Sequence, residues 1–246
     1  MATIDEIVEA LVTPLTQCCL VNATVTGPSV QSEVFSTPLQ GFPTNGNEFV
    51  VLSSGFASLT PGTAPTFVSE NTGGPTVPAG DPLGSPDGQV SLDVVTVRLQ
   101  FLLPKDPGKL TFDWKFGTEE NPQFVGQFAD YFRADVFTSL GTENIALLPD
   151  GTPVTVTNAA PFSNMPNGSS MAPLPPFPTP NDVTYNAVTT EIYTAELDLS
   201  CYSCELITLQ IRVADVIDRV FNSAAFLDNL RITGCEDPEP VKPICP

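Results

Sequence analysis

Apolar positions along the chain fall into two periods. Over residues 4–12 they recur at Ile4, Ile7, Val8 and Leu11, the spacing of a helix, and Pro14 ends the pattern. From residue 20 onward the period shortens to two. Runs rich in Val, Thr, Phe and Ile are separated by Gly, Pro and Asn, the grammar of strands and turns. The pattern predicts strands at Leu20–Val25, Phe49–Ser53, Val94–Leu103, Lys109–Phe116, Tyr131–Thr138, Asn144–Leu148, Val154–Thr157, Glu191–Leu199, Leu206–Val213 and Asn229–Thr233. Many short strands with little helical patterning predict an all-β fold, a β-sandwich of jelly-roll type.

The spaces between the runs are long. Residues 59–90 are rich in Pro, Gly and Thr, and residues 161–183 hold seven Pro. Proline donates no ladder hydrogen bond, so neither stretch is a central strand. The expected organisation is a short N-terminal arm (1–19), a sandwich domain (20–234) and a tail rich in Pro and Cys (235–246). The arm reads two ways: a helix packed on its own domain, or a segment that docks on a neighbouring subunit. In the run Lys109–Phe116, the side chains Phe112, Trp114 and Phe116 alternate with Asp113 and Lys115. Strict alternation places the aromatics on one face. That face is read as core, with an exposed platform for sugar stacking as the alternative.

Charge changes the picture more than any other compositional feature. Nine Lys and Arg face 28 Asp and Glu, a formal net charge of −19. Nucleic-acid binding draws on clustered basic residues that displace counterions, so that class is excluded. Attraction to anionic membranes is excluded on the same ground, and no segment predicts direct membrane insertion. The chain contains no His. Imidazole-based triads and zinc sites therefore fall away, and only carboxylate chemistry remains for catalysis. The first fifteen residues carry three acidic side chains and no Lys or Arg, unlike a secretory signal. The expectation is a signal already removed, or exit by another route such as release of a spore from its mother cell.

Several stretches resemble the choice-of-anchor L domain, a bacterial family of secreted or surface-displayed β-sandwich modules. They are Val51–Gly55, Leu110–Phe132 with Glu119, Glu120 and Asp130 at its centre, Asn144–Pro149, Tyr185–Ile192 and Val213–Leu227. The resemblance spans about residues 20–233 and implies an extracellular or surface location. Residues 225–232 also look like the closing strand of many carbohydrate-binding jelly rolls, a likeness of fold only.

Two groups of residues are candidates for chemistry. Glu119, Glu120, Asp130 and Asp218 fall between strands, where loops of a sandwich converge. Calcium takes several oxygen ligands from such carboxylates and carbonyls. They are expected either to hold a structural calcium ion or to cap turns by accepting backbone N–H bonds. No other cofactor is expected. The second group is Cys18, Cys19, Cys201, Cys204, Cys235 and Cys245. Adjacent Cys18 and Cys19 are poor partners for each other. Links between subunits and staples within the chain are both open, and a zinc reading of the Cys201 and Cys204 pair is a further possibility.

The leading expectation is a non-catalytic structural protein whose subunits self-associate, as a disulfide-locked fibre or coat on a cell or spore. The first alternative is a carbohydrate-binding or adhesive module with a glycan or surface partner. The second is a carboxylate-based glycosidase, which requires an open cleft between two facing carboxylates.

Overall fold

The computed structural model describes residues 1–62, 71–120, 124–159, 183–185 and 187–235. Most of the Pro-rich 161–183 stretch, the tail after Cys235, and Cys245 with it, lie outside the described residues.

Two short helices, α1 (Ile4–Leu11) and α2 (Pro14–Gln17), precede twelve strands. These are β1 (Leu20–Thr26), β2 (Ser32–Phe35), β3 (Phe49–Ser53), β4 (Ser91–Leu102), β5 (Lys109–Thr118) and β6 (Tyr131–Thr138). They continue with β7 (Gly141–Asn144), β8 (Val154–Thr155), β9 (Ala187–Val188), β10 (Tyr193–Asp198), β11 (Leu206–Val216) and β12 (Ser223–Ile232). Among the described residues they form two six-stranded sheets. One runs β1-β4-β11-β6-β7, with β8 also on β6. The other runs β10-β5-β12-β3-β2, with β9 also on β5. Neighbouring strands within both sheets are antiparallel. The sandwich expected from the sequence is the fold observed.

The core lies between the sheets. Phe112, Trp114 and Phe116 of β5 are fully buried there. Trp114 packs on Phe132 at 5.2 Å and on Tyr193 at 4.8 Å between ring centroids. Its face is core, and the sugar-platform alternative for it is excluded. A second apolar cluster, including Phe42, Phe49, Val51, Tyr185 and Phe226, lies apart from the first. Val50 and Leu52 belong to the inter-sheet core while Phe49 and Val51 belong to this second cluster. Strand β3 is therefore buried on both faces, which is why its sequence is a continuous apolar run and not an alternation.

Some boundaries differ from the sequence reading. Strand β7 ends at Asn144 instead of starting there. The Asn144 side-chain oxygen accepts from the Ala134 and Ala146 N–H groups, so a side chain takes over from the ladder at that point. The short β2, with Glu33 in its middle, carries no clear alternation and is not foreseen by the pattern.

Helix α1 starts with a capping box in which Thr3 and Glu6 satisfy each other's backbone N–H groups. Ile7 and Leu11 are buried against the sandwich of the same chain. The N-terminal segment thus packs on its own domain, the first of the two readings of the arm. The reason is the apolar stripe of α1, which completes the core along β12 and β3.

Strand direction gives the sandwich two chemically distinct ends. At one end β4 begins, β5 ends, β6 begins, β11 ends and β12 begins. This end gathers Asp93, Glu119, Glu120, Asp130, Asp215 and Asp218. At the other end lie Cys18, Cys19, Cys201, Cys204 and Cys235, where Leu102 N–H donates to the Cys19 carbonyl and Cys204 N–H to the Pro104 carbonyl.

Candidate functional site

At the carboxylate end, Asp130 sits just before β6 and is almost wholly buried. One of its oxygens accepts from the Val216 N–H at 2.8 Å and the other from the Ser223 hydroxyl at 2.9 Å. Val216 ends a strand of one sheet and Ser223 begins a strand of the other, so Asp130 bridges the two layers. Its pKa is pushed up to about 8, mainly by burial; the two hydrogen bonds oppose the rise and the nearby Asp218 adds to it.

Glu120 follows β5 and is 1% exposed. Its backbone is fixed by the Thr118 hydroxyl, which accepts its N–H at 3.1 Å, and by the Phe124 N–H, which donates to its carbonyl at 2.9 Å. Its Oε2 has no hydrogen-bond partner. Burial pushes this carboxyl up to about 10, with Asp130 and then Asp218 repelling the charged form further.

Asp215 is also 1% exposed; its oxygens accept no N–H or hydroxyl, and the neighbouring Asp130 carboxyl is within reach of a shared proton. Ser54 is close enough to ease its pKa, but the Ser54 hydroxyl points to the Ser223 carbonyl at 3.3 Å. Burial, then repulsion by Asp130, holds Asp215 well above the carboxylate range. It comes inward at a register shift between β11 and β4, opposite Leu92. A bulge of this kind re-aims side chains at the end of a sheet. Asp93, with φ of +43°, lies beside Leu92 and accepts from Gly74 N–H at 2.7 Å and from Arg219.

Glu119 takes a different path. Its Oε2 accepts from Asn222 N–H at 2.9 Å, and its own N–H donates to the Asn222 carbonyl at 3.0 Å. It caps the 217–222 turn, as the turn-capping alternative expected. Asp218 accepts from Val220 N–H at 3.0 Å, an Asx turn, while its charge reaches Glu120 and Asp130. Three of the four expected carboxylates, Glu120, Asp130 and Asp218, are thus brought together. Asp215 joins them, and its sequence signal is an acid inside the apolar run Val213–Ile217. Among the described residues, no group of three or more His, Cys, Asp or Glu side chains is placed to hold a metal ion.

At the opposite end Cys19 and Cys235 form a disulfide within the chain, with Cα atoms 6.0 Å apart. That corrects the intersubunit expectation for these two residues: α2 and the end of β12 bring them together in one sandwich. Cys204 is disulfide-bonded too, which removes it from a zinc site. Cys18 and Cys201 are free and exposed.

A groove runs between α1 and the 36–48 loop. One part, about 340 Å³, is lined by residues that include Glu9, Thr13, Ser36, Asn45, Asn47 and Glu48. An adjoining hollow of about 370 Å³ adds Glu6 and Glu33. The loop is held by Asp228, whose Oδ2 accepts from Thr44 N–H at 2.6 Å and Asn45 N–H at 2.9 Å. A register shift next to Asp228, with Asn229 at φ of +59°, turns this part of β12 toward the loop. Asp113 accepts from the Thr44 hydroxyl at 2.8 Å and the Asn229 amide at 2.9 Å. Asp228 and Asn229 were read only as a strand end in the sequence; here they position the groove.

The profile of the choice-of-anchor L domain matches residues 1–231. The chain belongs to this family. For the choice-of-anchor L domain described here, the match takes in α1 as well as both sheets. No curated protein matches the chain. Among solved structures, it is similar to TmCBM61 in complex with β-1,4-galactotriose, with 11% identity, a TM-score of 0.41, and coverage of 91% of this chain and 90% of that one. It is also similar to CBM28, a non-crystalline cellulose specific carbohydrate-binding module, with 11% identity, a TM-score of 0.36, and coverage of 91% and 92%. A third is the enzymatically active domain of tailspike protein 4 of bacteriophage CBA120, with 8% identity, a TM-score of 0.32, and coverage of 86% of this chain and 19% of that one. At scores this low, none of these likenesses bears on what the choice-of-anchor L domain does. Among the described residues no helix is long and apolar enough to cross a membrane.

Proposed function

We propose that this chain is a non-catalytic binding module of a cell or spore surface, and that its ligand is an uncharged, hydroxyl-rich glycan. Family membership supports the surface location. The observation that carries the binding reading is the groove between α1 and the 36–48 loop. Its amides and carboxylates, Asn45, Asn47, Glu48 and Glu9, are hydrogen-bonding partners for sugar hydroxyls. Asp228 fixes the loop before any ligand arrives, which lowers the ordering cost of binding. The four Glu of the groove and the adjoining hollow select against anionic sugars. Glu120, Asp130 and Asp215 are buried, so none of these three carboxyls faces a substrate. A glycan array probed with the full chain tests the reading. Signal on neutral glycans and none on uronic or sialylated ones supports it; signal confined to acidic glycans, or none at all, removes it.

A second reading, subunits joined by disulfides, is favoured by Cys18 and Cys201, two exposed free thiols at one end of the sandwich. In this form the link runs through these two residues, and not through Cys19 or arm exchange. Polymers on a non-reducing gel that vanish in the Cys18→Ser, Cys201→Ser double variant support it. A monomer on that gel leaves the binding module alone.

A further inference from the structure

A sheet ends in strands whose outward N–H and C=O groups have no ladder partner, and such edges are normally guarded by charged side chains, Pro or bulges. The outermost strands of the two sheets here are β1, β7, β10 and β2. Three of them carry acids: Glu143 in β7, Glu196 and Asp198 in β10, and Glu33 in β2. Strand β1, with the sequence LVNATVT, carries no charge and no Pro, in a chain of net charge −19. Its register against β4 shifts between Leu20 and Asn22, which leaves Asn22–Thr26 in regular pairing. Among the described residues, the hydrogen bonds of the β1 backbone run to β4 alone. Helix α1 lies near β1 through its apolar stripe and makes no hydrogen bond to that backbone.

We infer that β1 is a self-pairing edge, where a second copy of this chain adds its own β1 antiparallel across a two-fold axis at Thr24. Side chains of Asn22–Thr26 alternate strictly: Ala23 and Val25 are half-buried against the core, and Asn22, Thr24 and Thr26 are exposed. An antiparallel partner centred on Thr24 sets Thr24 against Thr24, Ala23 against Val25 and Asn22 against Thr26. Each pair matches polar with polar or apolar with apolar on a shared face, and cross-strand Thr pairs are favourable. That match reads the same from both copies, as an isologous two-fold contact requires. Charge favours the same edge. Two chains of net charge −19 repel, so they meet best where neither brings an acid to the contact. Self-pairing of β7, β10 or β2 would bring their acids together. Among the described residues each chain has one such uncharged outer strand, so the assembly closes at two copies and does not grow into a fibre. Five regular residues form a contact well below the roughly 1,600 Å² of a stable interface, so the pairing is weak and concentration-dependent. The contact depends neither on the glycan groove nor on a disulfide.

The test is sedimentation equilibrium of the full chain carrying Cys18→Ser and Cys201→Ser, so that no thiol link contributes, in about 0.5 M NaCl to screen the net charge. The expected result is a reversible equilibrium between 26.1 kDa and twice that mass, at chain concentrations up to about 1 mM. Thr24→Glu sets two acids face to face at the axis and should weaken association by about tenfold or more. Thr26→Glu should act in the same direction, and decides the matter if the first variant fails to fold. Thr142→Glu, on the outer strand β7, should leave the equilibrium unchanged. A chain that stays at 26.1 kDa throughout overturns the inference. So does association undiminished in the β1 variants, association lost equally in Thr142→Glu, or growth past two copies.

Discussion

Ser223 donates its hydroxyl proton to Asp130 across the gap between the two sheets, at 2.9 Å. The same carboxyl accepts the Val216 N–H at 2.8 Å. One side chain thus joins the last residue of β11 to the first of β12, although the turn between them is exposed in part.

Asp130→Ala should therefore loosen the carboxylate end. It leaves the buried Val216 N–H without an acceptor, at a cost of about 1–3 kcal/mol, while the Ser223 hydroxyl keeps Thr118 Oγ1 at 3.0 Å. Ser223→Ala removes one partner from a carboxyl that keeps the other, and should cost about 1 kcal/mol. Urea melts of the two variants check the order. Equal losses would mean that Asp130 does not bridge the layers.

Stability should fall as pH rises. Glu120 and Asp130 have folded pKa values near 10 and 8, above the ordinary 4.5 and 3.8. The folded state then holds more protons than the unfolded one across this window. Their contribution is complete below about pH 4 and is lost progressively up to about pH 8–10. Melting at a series of pH values should show this decline. A Tm that climbs over the same range would contradict the burial of these acids.

Trp114→Ala should cost about 3–5 kcal/mol, the range for large core truncations. The indole packs at a tilt on Phe132 and Tyr193 with no exposed surface. Its fluorescence maximum should be blue-shifted in the folded chain and move to the red on unfolding. A red maximum before unfolding would place the ring at the surface.

How far the sequence reveals such features depends on the range of the interaction. The alternation of Phe112, Trp114 and Phe116 is local, and it reports a core face directly. Ile4, Ile7, Val8 and Leu11 report an apolar stripe, but not whose core it enters; only the contacts of α1 with its own sheets decide that. Glu120 and Asp130 are legible as loop carboxylates. Asp215 is hidden, because a bulge against β4 and not local spacing turns it inward. Cys19 and Cys235 stand 216 positions apart, so their pairing depends on where α2 and β12 end. The groove is hidden for the same reason, since Asp228 reaches a loop 184 residues earlier.

Cys19→Ser should destabilise the chain by about 2–5 kcal/mol, because the bridge restrains a very long loop in the unfolded state. Reduction of the unaltered chain should lower Tm by a similar margin. If reduction leaves Tm unchanged, the bridge does not stabilise the sandwich.

The most direct test of the binding-module account is titration of the full chain with a neutral glycan taken from the array, followed by Asn47→Ala and Glu48→Gln. Both residues are exposed on the groove, so neither change should alter Tm. Each should weaken binding by about tenfold, the loss of roughly 1.4 kcal/mol from one hydrogen-bonding group. Undiminished affinity in both variants would show that the groove between α1 and the 36–48 loop is not where this domain meets its ligand.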